Sequence, residues 1–365
     1  MKLSLFKLSS ICSFLICMGF INATTIPFSP YKDVTVGFNS NSNVISTRVN
    51  VPADQTLPNS LLSTLDKSVT TVTWGFATGE CGQEQWGWLQ PSVTSTFAST
   101  NVNGFNAAGE KYIIATGGAA GAFTCGSDTG MKTFVDRYNS SNLVGLDFDI
   151  EGNLYYPYNP ELVQSLINEI AYIHTVYPNL KISFTLGTNA GVTTYPGESA
   201  PFGVSDLGAL VLNDLAALSP DKSFPYNVNL MVMDYGFPAN TTPNLLSDIC
   251  AVKSTDSTVC DMGQSAVQAA KNLHNAYNIP YNHIELTPMI GKNDNQAQIF
   301  TEDDVTTLAN FAVENNLAEV HMWSFDRDTG DCYSPTQDGH ANPTCSQLQQ
   351  EPMAFQKDFV KALTQ

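Results

Sequence analysis

Leu143-Val144-Gly145-Leu146-Asp147-Phe148-Asp149-Ile150-Glu151-Gly152 decides how this chain folds. Val144, Leu146, Phe148 and Ile150 recur at period two, the pattern of a β-strand, and Gly152-Asn153 ends the run. Alternation sends those apolar side chains to one face and Gly145, Asp147, Asp149 and Glu151 to the other. Same-face neighbours on a strand lie roughly 6.5–7 Å apart, so the three carboxylates repel one another in a confined space. A strand covered on both faces ordinarily carries Val, Ile or Leu on both. Three acids there are costly, and cost concentrated at one spot points to chemistry. On the residues alone three uses stay open: general acid–base catalysis without a metal, a cage for a divalent cation, or a polar cluster satisfied by backbone and water.

On either side of this stretch, strand-like and helix-like patterns alternate. Strands are expected at Asp33–Phe38, Thr71–Ala77, Lys111–Ala115, the acid stretch, Lys181–Leu186, Val228–Met233, Ile284–Pro288 and Glu319–Ser324. Between them lie helical patterns, the clearest opening at Pro160 with Leu162, Leu166, Ile167, Ile170 and Ile173 at helical spacing. A final helix is expected from Ala354 to Leu363. Eight strands alternating with helices predict a closed (β/α)8 TIM barrel of α/β class, in a single domain over 24–365. An open doubly wound sheet would carry a Gly-rich phosphate fingerprint after its first strand, and none is present. Thr116-Gly117-Gly118-Ala119-Ala120-Gly121 follows the third strand without a P-loop Lys-Ser/Thr, and reads as a tight turn that lets backbone approach the site. In a barrel the strand C-termini line the active site, so Glu151 is expected at the mouth, Asp149 one layer deeper and Asp147 deeper still. Mutual repulsion favours a proton on at least one of them near neutrality, and a Glu151 with raised pKa suits a general acid.

The chain has 365 residues and a formal net charge of −18, which argues against nucleic acid and against an anionic membrane surface. Lys2 and Lys7 precede a largely apolar run from Ile11 to Ile21, and Ile21-Asn22-Ala23 offers a small-residue cleavage site. Residues 1–23 therefore read as a secretory signal peptide, and the mature protein as secreted, or periplasmic in a Gram-negative host, with no membrane segment. Cleavage removes Cys12 and Cys17 of the 8 cysteines. Sequence proximity pairs Cys250–Cys260 and Cys332–Cys345, which leaves Cys81–Cys125. No CxxC and no His pair supports zinc, so no metal is expected. Asn139-Ser140-Ser141 and Asn240-Thr241-Thr242 are glycosylation sequons in a eukaryotic secretory path.

Val144-Gly145-Leu146-Asp147-Phe148-Asp149-Ile150-Glu151 closely resembles the DGxDxDxE signature of glycoside hydrolase family 18, with Val144 in place of the first Asp. Ala115-Thr116-Gly117-Gly118 looks like its third-strand SxGG motif, and Met231-Val232-Met233-Asp234-Tyr235-Gly236 resembles its sixth-strand motif in the variant form MxMDYG. Thr287-Pro288-Met289-Ile290-Gly291 and Met322-Trp323-Ser324 fit the seventh and eighth strands of a bacterial-type chitinase branch. The resemblance covers nearly the whole mature chain. It implies a secreted chitinase that cuts β-1,4 bonds between N-acetylglucosamine units with retention, using the substrate's own acetamido oxygen as nucleophile. Glu151 would be the acid and then the base, Asp149 would stabilise the oxazolinium, Asp147 would share a proton with Asp149, and Tyr235 would bind the acetamido carbonyl. Trp323 would floor the sugar site, with Met233, Asp234, Phe76, Gly117 and Gly118 as further substrate contacts. Trp74, Trp86 and Trp88 are candidates to extend a sugar-stacking surface.

The short connection after strand seven leaves no room for the α+β insertion of some family members. A shallow, open groove and endo action on a chitin chain are therefore expected, with no cofactor and a monomeric state. Within the same chemistry the alternative is an endo-β-N-acetylglucosaminidase acting on N-glycan cores. Outside it stand a non-catalytic chitin-binding lectin, against which the presence of Glu151 argues, and a metal-dependent hydrolase.

Overall fold

Parallel pairing runs unbroken through eight strands: β1 (Tyr31–Asp33), β2 (Thr71–Glu80), β3 (Lys111–Gly117), β4 (Leu143–Asp149), β5 (Lys181–Gly187), β6 (Asn227–Met231), β7 (Ile284–Thr287) and β8 (Glu319–Val320). The ring closes between β8 and the residues leading into β1. Ser29 N–H donates to Val320 O at 3.1 Å, Val320 N–H to Pro27 O at 2.9 Å and Tyr31 N–H to Met322 O at 3.0 Å. The computed structural model describes residues 25–51, 55, 57–89, 91–151, 159–191, 203–220, 223–236, 246–295, 298–332 and 341–364. The expected signal peptide, Gly152 and the sequon at 240–242 lie outside them.

Seven longer helices cover the ring: α1 (Pro91–Ala108), α2 (Asp128–Tyr138), α3 (Pro160–Val176), α4 (Asp206–Leu218), α5 (Met262–Tyr277), α6 (Glu302–Asn315) and α7 (Ala354–Leu363). Their starts are written in the sequence. Ser127, Asn159, Ser205 and Asp261 each accept a hydrogen bond from a first-turn N–H of α2, α3, α4 and α5. Thr301 and Asp304 form a capping box on α6. Each such cap stabilises its helix by about 1 kcal/mol. Between β1 and β2 the described residues hold a single helical turn, Leu61–Thr64. The link from β7 to α6 holds a small antiparallel ribbon, Gly291–Lys292 with Ile299–Phe300, and no larger insertion among the described residues.

The barrel separates two chemistries. Leu146, Phe148 and Ile150 of the acid stretch face outward, as their alternation predicts, and are buried with Phe184 and Leu186 of β5 and Val228 and Leu230 of β6 against helix residues such as Phe134, Leu166 and Leu212. The inner faces are largely polar: Thr73, Asp147, Ser183, Thr185, Asn229, Glu285, Thr287, Glu319 and His321 are all buried. Such groups stay inside a protein only when hydrogen-bonded or paired, and these are. Lys181 bridges Glu285 at 3.1 Å and also binds Glu319, while Asn229 joins the Tyr31 hydroxyl, Thr185 and Thr287.

The first strand lies earlier than the Asp33–Phe38 expected from its alternation. The Asp33 carboxylate accepts the Thr35 N–H at 2.9 Å and its hydroxyl at 2.7 Å, which folds the chain into turns directly after β1. The sixth strand also stops short of Met233, at Met231. Its end is set by Asp234, whose backbone is left-handed at φ 46°. All three expected disulfides are formed, with Cα–Cα separations of 5.0 Å for Cys81–Cys125, 5.8 Å for Cys250–Cys260 and 6.0 Å for Cys332–Cys345. At the far end of the fold, Ile26 N–H donates to Leu363 O at 3.2 Å, and Thr25 pairs with Thr364 as an antiparallel bridge.

Candidate active site

The register of β4 against its neighbours assembles the site. Asp147 lies opposite Ala115 on β3 and Ser183 on β5, and Asp149 opposite Gly117 and Thr185. Asp147 is fully enclosed and accepts hydrogen bonds from the Tyr31 hydroxyl at 2.7 Å, the Ser183 hydroxyl at 2.7 Å and the Thr185 hydroxyl at 2.8 and 2.9 Å. Burial pushes its carboxyl above the usual range, while these donors and the nearby His321 pull it back.

Asp149 has no such support. Its Oδ1 is buried and lacks a hydrogen-bond partner among the described residues. Burial, then the charges of Glu151 and Asp147, push it well above the ordinary carboxyl range. Glu151 follows the end of β4 and is half-buried. Its carboxyl is raised by burial and by the charge of Asp234, against a lowering hydrogen bond from the Ala119 N–H. Asp147 is thus the best-stabilised anion of the three, and Asp149 the member best suited to hold a proton.

Gly117 and Gly118 shape the wall beside Asp149. Both have positive φ, 84° and 80°, and Gly118 N–H donates to Asp149 O at 3.2 Å. A Cβ at Gly117 would collide with the Asp149 carbonyl oxygen, and one at Gly118 would press on the Phe76 ring at 3.1 Å. Only glycine accommodates this backbone approach. Phe76, Trp323 and Tyr31 form an aromatic group at the same end, with centroids 5.5 Å apart for Phe76–Trp323, 5.8 Å for Tyr31–Phe76 and 6.1 Å for Tyr31–Trp323. Phe76 and Trp323 are both half-buried and retain surface for a ligand.

On the β6 side, Asp234 accepts the Asp294 N–H at 2.7 Å and the Asn295 N–H at 3.3 Å. Its carboxyl is raised first by burial and lowered by those N–H groups and by Arg327. Arg327 is buried and donates to the carbonyls of Ile290, Lys292 and Asn342. Burial lowers its guanidinium to about 10, with Asp234 and Asp294 acting in the opposite sense. Tyr235 is buried, and Gln298 holds its backbone from both sides, accepting its N–H at 2.8 Å and donating to its carbonyl at 2.6 Å. The Tyr235 hydroxyl has no hydrogen-bond partner among the described residues. Met233 is half-buried in the turn after β6.

Two expected sugar platforms are not available. Trp74 is 0% exposed and stacks on Tyr112 beneath α1, and Trp86, also 0% exposed, donates to the Tyr138 hydroxyl at 2.7 Å. Both point into the shell between sheet and helices, where a sugar cannot reach. Trp88 differs, being 58% exposed with its ring edge-on to Phe38. Tyr31, Ser183, Thr185 and His321 also belong to the site, beyond the residues expected from the sequence. Their signal was present: Ser183 and Thr185 occupy alternate positions in Lys-Ile-Ser-Phe-Thr-Leu, and His321 shares its parity with Trp323.

Two groups of described residues bring acidic, thiol or imidazole atoms close enough together for a cation: Glu80 with Cys81 and Cys125, and Glu285 with Glu319 and His321. In the first, the sulfurs are joined in a disulfide. In the second, the Lys181 ammonium already supplies the positive charge. Neither includes the acids of β4.

No family model matches the chain. Over 276 residues, 72% of this chain and 27% of the relative, it is 26% identical to a protein of Escherichia coli K12 named probable bifunctional chitinase/lysozyme. Over 242 residues, 63% of this chain and 42% of the relative, it is 26% identical to Endochitinase 11 of Metarhizium anisopliae. The chain thus spans less than half the length of either. In fold it is similar to the catalytic domain of a hyperthermophilic chitinase from Pyrococcus furiosus, with TM-score 0.62, 23% identity and coverage of 94% of this chain and 97% of that one. A family GH18 chitinase from Chromobacterium violaceum aligns with TM-score 0.51 at 13% identity, over 93% of this chain and 84% of that one. The acid signature on β4, the partner motifs in barrel order and the curated relatives thus make the chain similar to chitinases, and its fold is that of chitinase catalytic domains.

Proposed function

We propose that this chain is a chitinase that hydrolyses β-1,4 bonds between N-acetylglucosamine units by a retaining, substrate-assisted route. The observation that carries this reading is Asp149 Oδ1, buried, without a hydrogen-bond partner among the described residues, and set between Asp147 on the same strand and Glu151 just past its end. An unmet acceptor in such a place costs free energy until a ligand donor fills it. The acetamido N–H of the sugar is a donor of the right kind. With the acetamido group held there, its carbonyl oxygen attacks the anomeric carbon of the same sugar while Glu151 protonates the departing glycosidic oxygen. The C1–O bond breaks as the C1–O bond of the oxazolinium ring forms, and the positive charge rests beside Asp149. Glu151, now a carboxylate, takes a proton from water, which attacks C1 and reopens the ring. Two displacements at one carbon leave its configuration unchanged.

The raised carboxyl of Glu151 fits a group that must begin protonated. Tyr235 offers the acetamido oxygen a hydroxyl that has no partner among the described residues, and Phe76 and Trp323 offer apolar surface for the ring. The small β7–α6 ribbon supports an open groove and endo action. A chitinase from Pyrococcus furiosus that shares this fold has been solved with chito-oligosaccharides. Disulfides are consistent with a secreted protein.

Glu151→Gln is the decisive variant. With chitin oligosaccharides its kcat should fall by about 10²–10⁴-fold with folding intact. Turnover within tenfold of wild type would remove Glu151 as the acid. The first-formed anomer, followed by NMR, should be β; an initial α product would exclude acetamido participation. Unchanged activity in EDTA separates this route from a metal-dependent one.

A further inference from the structure

Beneath the acids of β4 the barrel holds a second polar cluster that the reaction as written does not use. His321 is at its centre, 1% exposed and inside the ring. Its Nδ1 lies 3.0 Å from the Ser29 carbonyl oxygen and 2.8 Å from the Ser29 hydroxyl oxygen. That hydroxyl gives its own hydrogen to Glu319 and receives one from Thr73 at 3.2 Å, so toward His321 it acts as an acceptor. Both neighbours of Nδ1 therefore require a hydrogen on the ring. On the other side, Nε2 lies 3.0 Å from Glu285 Oε2. The second oxygen of Glu285 receives the Lys181 ammonium at 3.1 Å and the Asn227 amide at 2.7 Å, an arrangement that keeps this carboxylate ionised. Nε2 must also donate.

We propose that His321 is a positioning residue for the acid strand, held as an imidazolium between Ser29 and Glu285, whose charge keeps Asp147 ionised and so leaves the proton on Asp149. The path is short. The His321 ring lies 5.3 Å from the ring of Tyr31, and the Tyr31 hydroxyl donates to Asp147 at 2.7 Å. Charged or titratable groups face His321 from the strands packed around it: Tyr31 on β1, Asp147 on β4, Lys181 on β5, Glu285 on β7 and Glu319 on β8, which ends one residue before it. Lys181 with Glu285 and Glu319 sums to one negative charge, and the imidazolium brings that layer to neutrality. Without it, the layer would push a proton onto Asp147, the carboxylate above. Electrostatics agree in direction. Burial lowers the His321 pKa, but Glu319 and Glu285 outweigh burial and the net shift is upward; Glu285 itself falls to about 2. This inference rests on the acid–base reading of β4 but is measured separately from it.

The first test needs no substrate. Nitrogen NMR of the wild-type protein labelled at histidine, assigned with His321→Gln, should show both His321 ring nitrogens protonated up to pH 8. A neutral tautomer appearing near the ordinary histidine pKa would overturn the proposal whatever the protein hydrolyses. The second test reads function. In His321→Gln, the acid limb of kcat/KM should move to higher pH by about half a unit or more as Asp147 becomes easier to protonate. An unchanged limb with an altered stability would make His321 a structural residue only. Should His321→Gln fail to fold, Glu285→Gln removes the anion that holds the Nε2 proton, and its profile should gain an ionisation near neutrality. A Glu285→Gln profile identical to wild type would overturn the proposal.

Discussion

Replacing Tyr235 with Phe should make the resting protein more stable and the enzyme slower. The Tyr235 hydroxyl is buried and finds no partner among the described residues, and burial alone raises its pKa well above the ordinary phenol value. An uncompensated buried hydroxyl costs about 1–3 kcal/mol. Removing it returns that cost without opening a cavity, because phenylalanine fills the same ring volume. For a chain of this length the unfolding entropy converts such a gain to a rise in Tm of about 1–4 °C. In the transition state the same hydroxyl would meet the acetamido oxygen as it attacks. A hydrogen bond to a group developing charge contributes about 1.5–3 kcal/mol, so kcat/KM should fall by about 10- to 150-fold. Calorimetric unfolding and initial rates on chitin oligosaccharides, at one pH, measure the two arms. Most active-site substitutions change rate without this gain in stability, and most buried Tyr→Phe changes that break a bond destabilise. A lower Tm together with kcat/KM within twofold of wild type would show that the hydroxyl is bonded in the resting protein and does not reach the substrate.

Asp149→Asn should abolish most turnover and flatten the pH dependence of stability. The folded pKa of Asp149 is raised, so its share of stability is fullest below the unfolded carboxyl pKa of about 4 and declines as pH rises through the folded value; denaturant midpoints from pH 4 to 8 would show the lost slope. Asp328, raised to about 7 by burial, caps α7 by accepting the N–H groups of Phe355 at 3.1 Å and Gln356 at 2.8 Å. Wild-type stability should therefore fall by up to about 4 kcal/mol between pH 4 and pH 7, and Asp328→Asn should remove that window in the same titration. Gly117→Ala places a methyl against the Asp149 carbonyl at positive φ, whereas Gly109→Ala, at φ 75° with open space around it, bears only the conformational cost. Thermal unfolding should show losses for both, and kcat should fall only for Gly117→Ala.

Alternation in Val144–Glu151 revealed both faces of the acid strand because the two faces differ chemically at every step. The helix opening at Pro160 was legible from its proline and apolar spacing, whereas the caps at Ser127, Ser205, Asp261 and Thr301 emerge only from the structure. What stayed hidden depends on contacts between distant segments. Period two puts Trp74 and Phe76 on the same face, but the register shift between Trp74 and Ala77 turns them apart, Trp74 toward α1 and Phe76 toward Trp323. Tyr31 looked like part of a loop because its strand is three residues long and its partner Asp147 lies far along the chain. The sixth strand was drawn too long because Met231, Met233 and Tyr235 keep a strand-like spacing, while the left-handed turn at Asp234 is held by Asp294 and Asn295, two backbone groups from another loop. The polar interior was missed for a related cause. Ser, Thr and Asn in strands read as neutral one at a time, and only the closed ring brings them into one hydrogen-bonded layer.

The pairing of Thr25 with Thr364 has a practical reach beyond the site. The two ends of the described span are neighbours across one antiparallel bridge, on the side of the barrel away from the acids. A short linker joining them would convert the chain into a topological circle without disturbing any strand. That circle could then be opened at a loop of choice, so the order of the eight strand–helix units along the gene is separable from their order around the ring. Permutants opened at different loops would report which adjacent units must be made together for the ring to close.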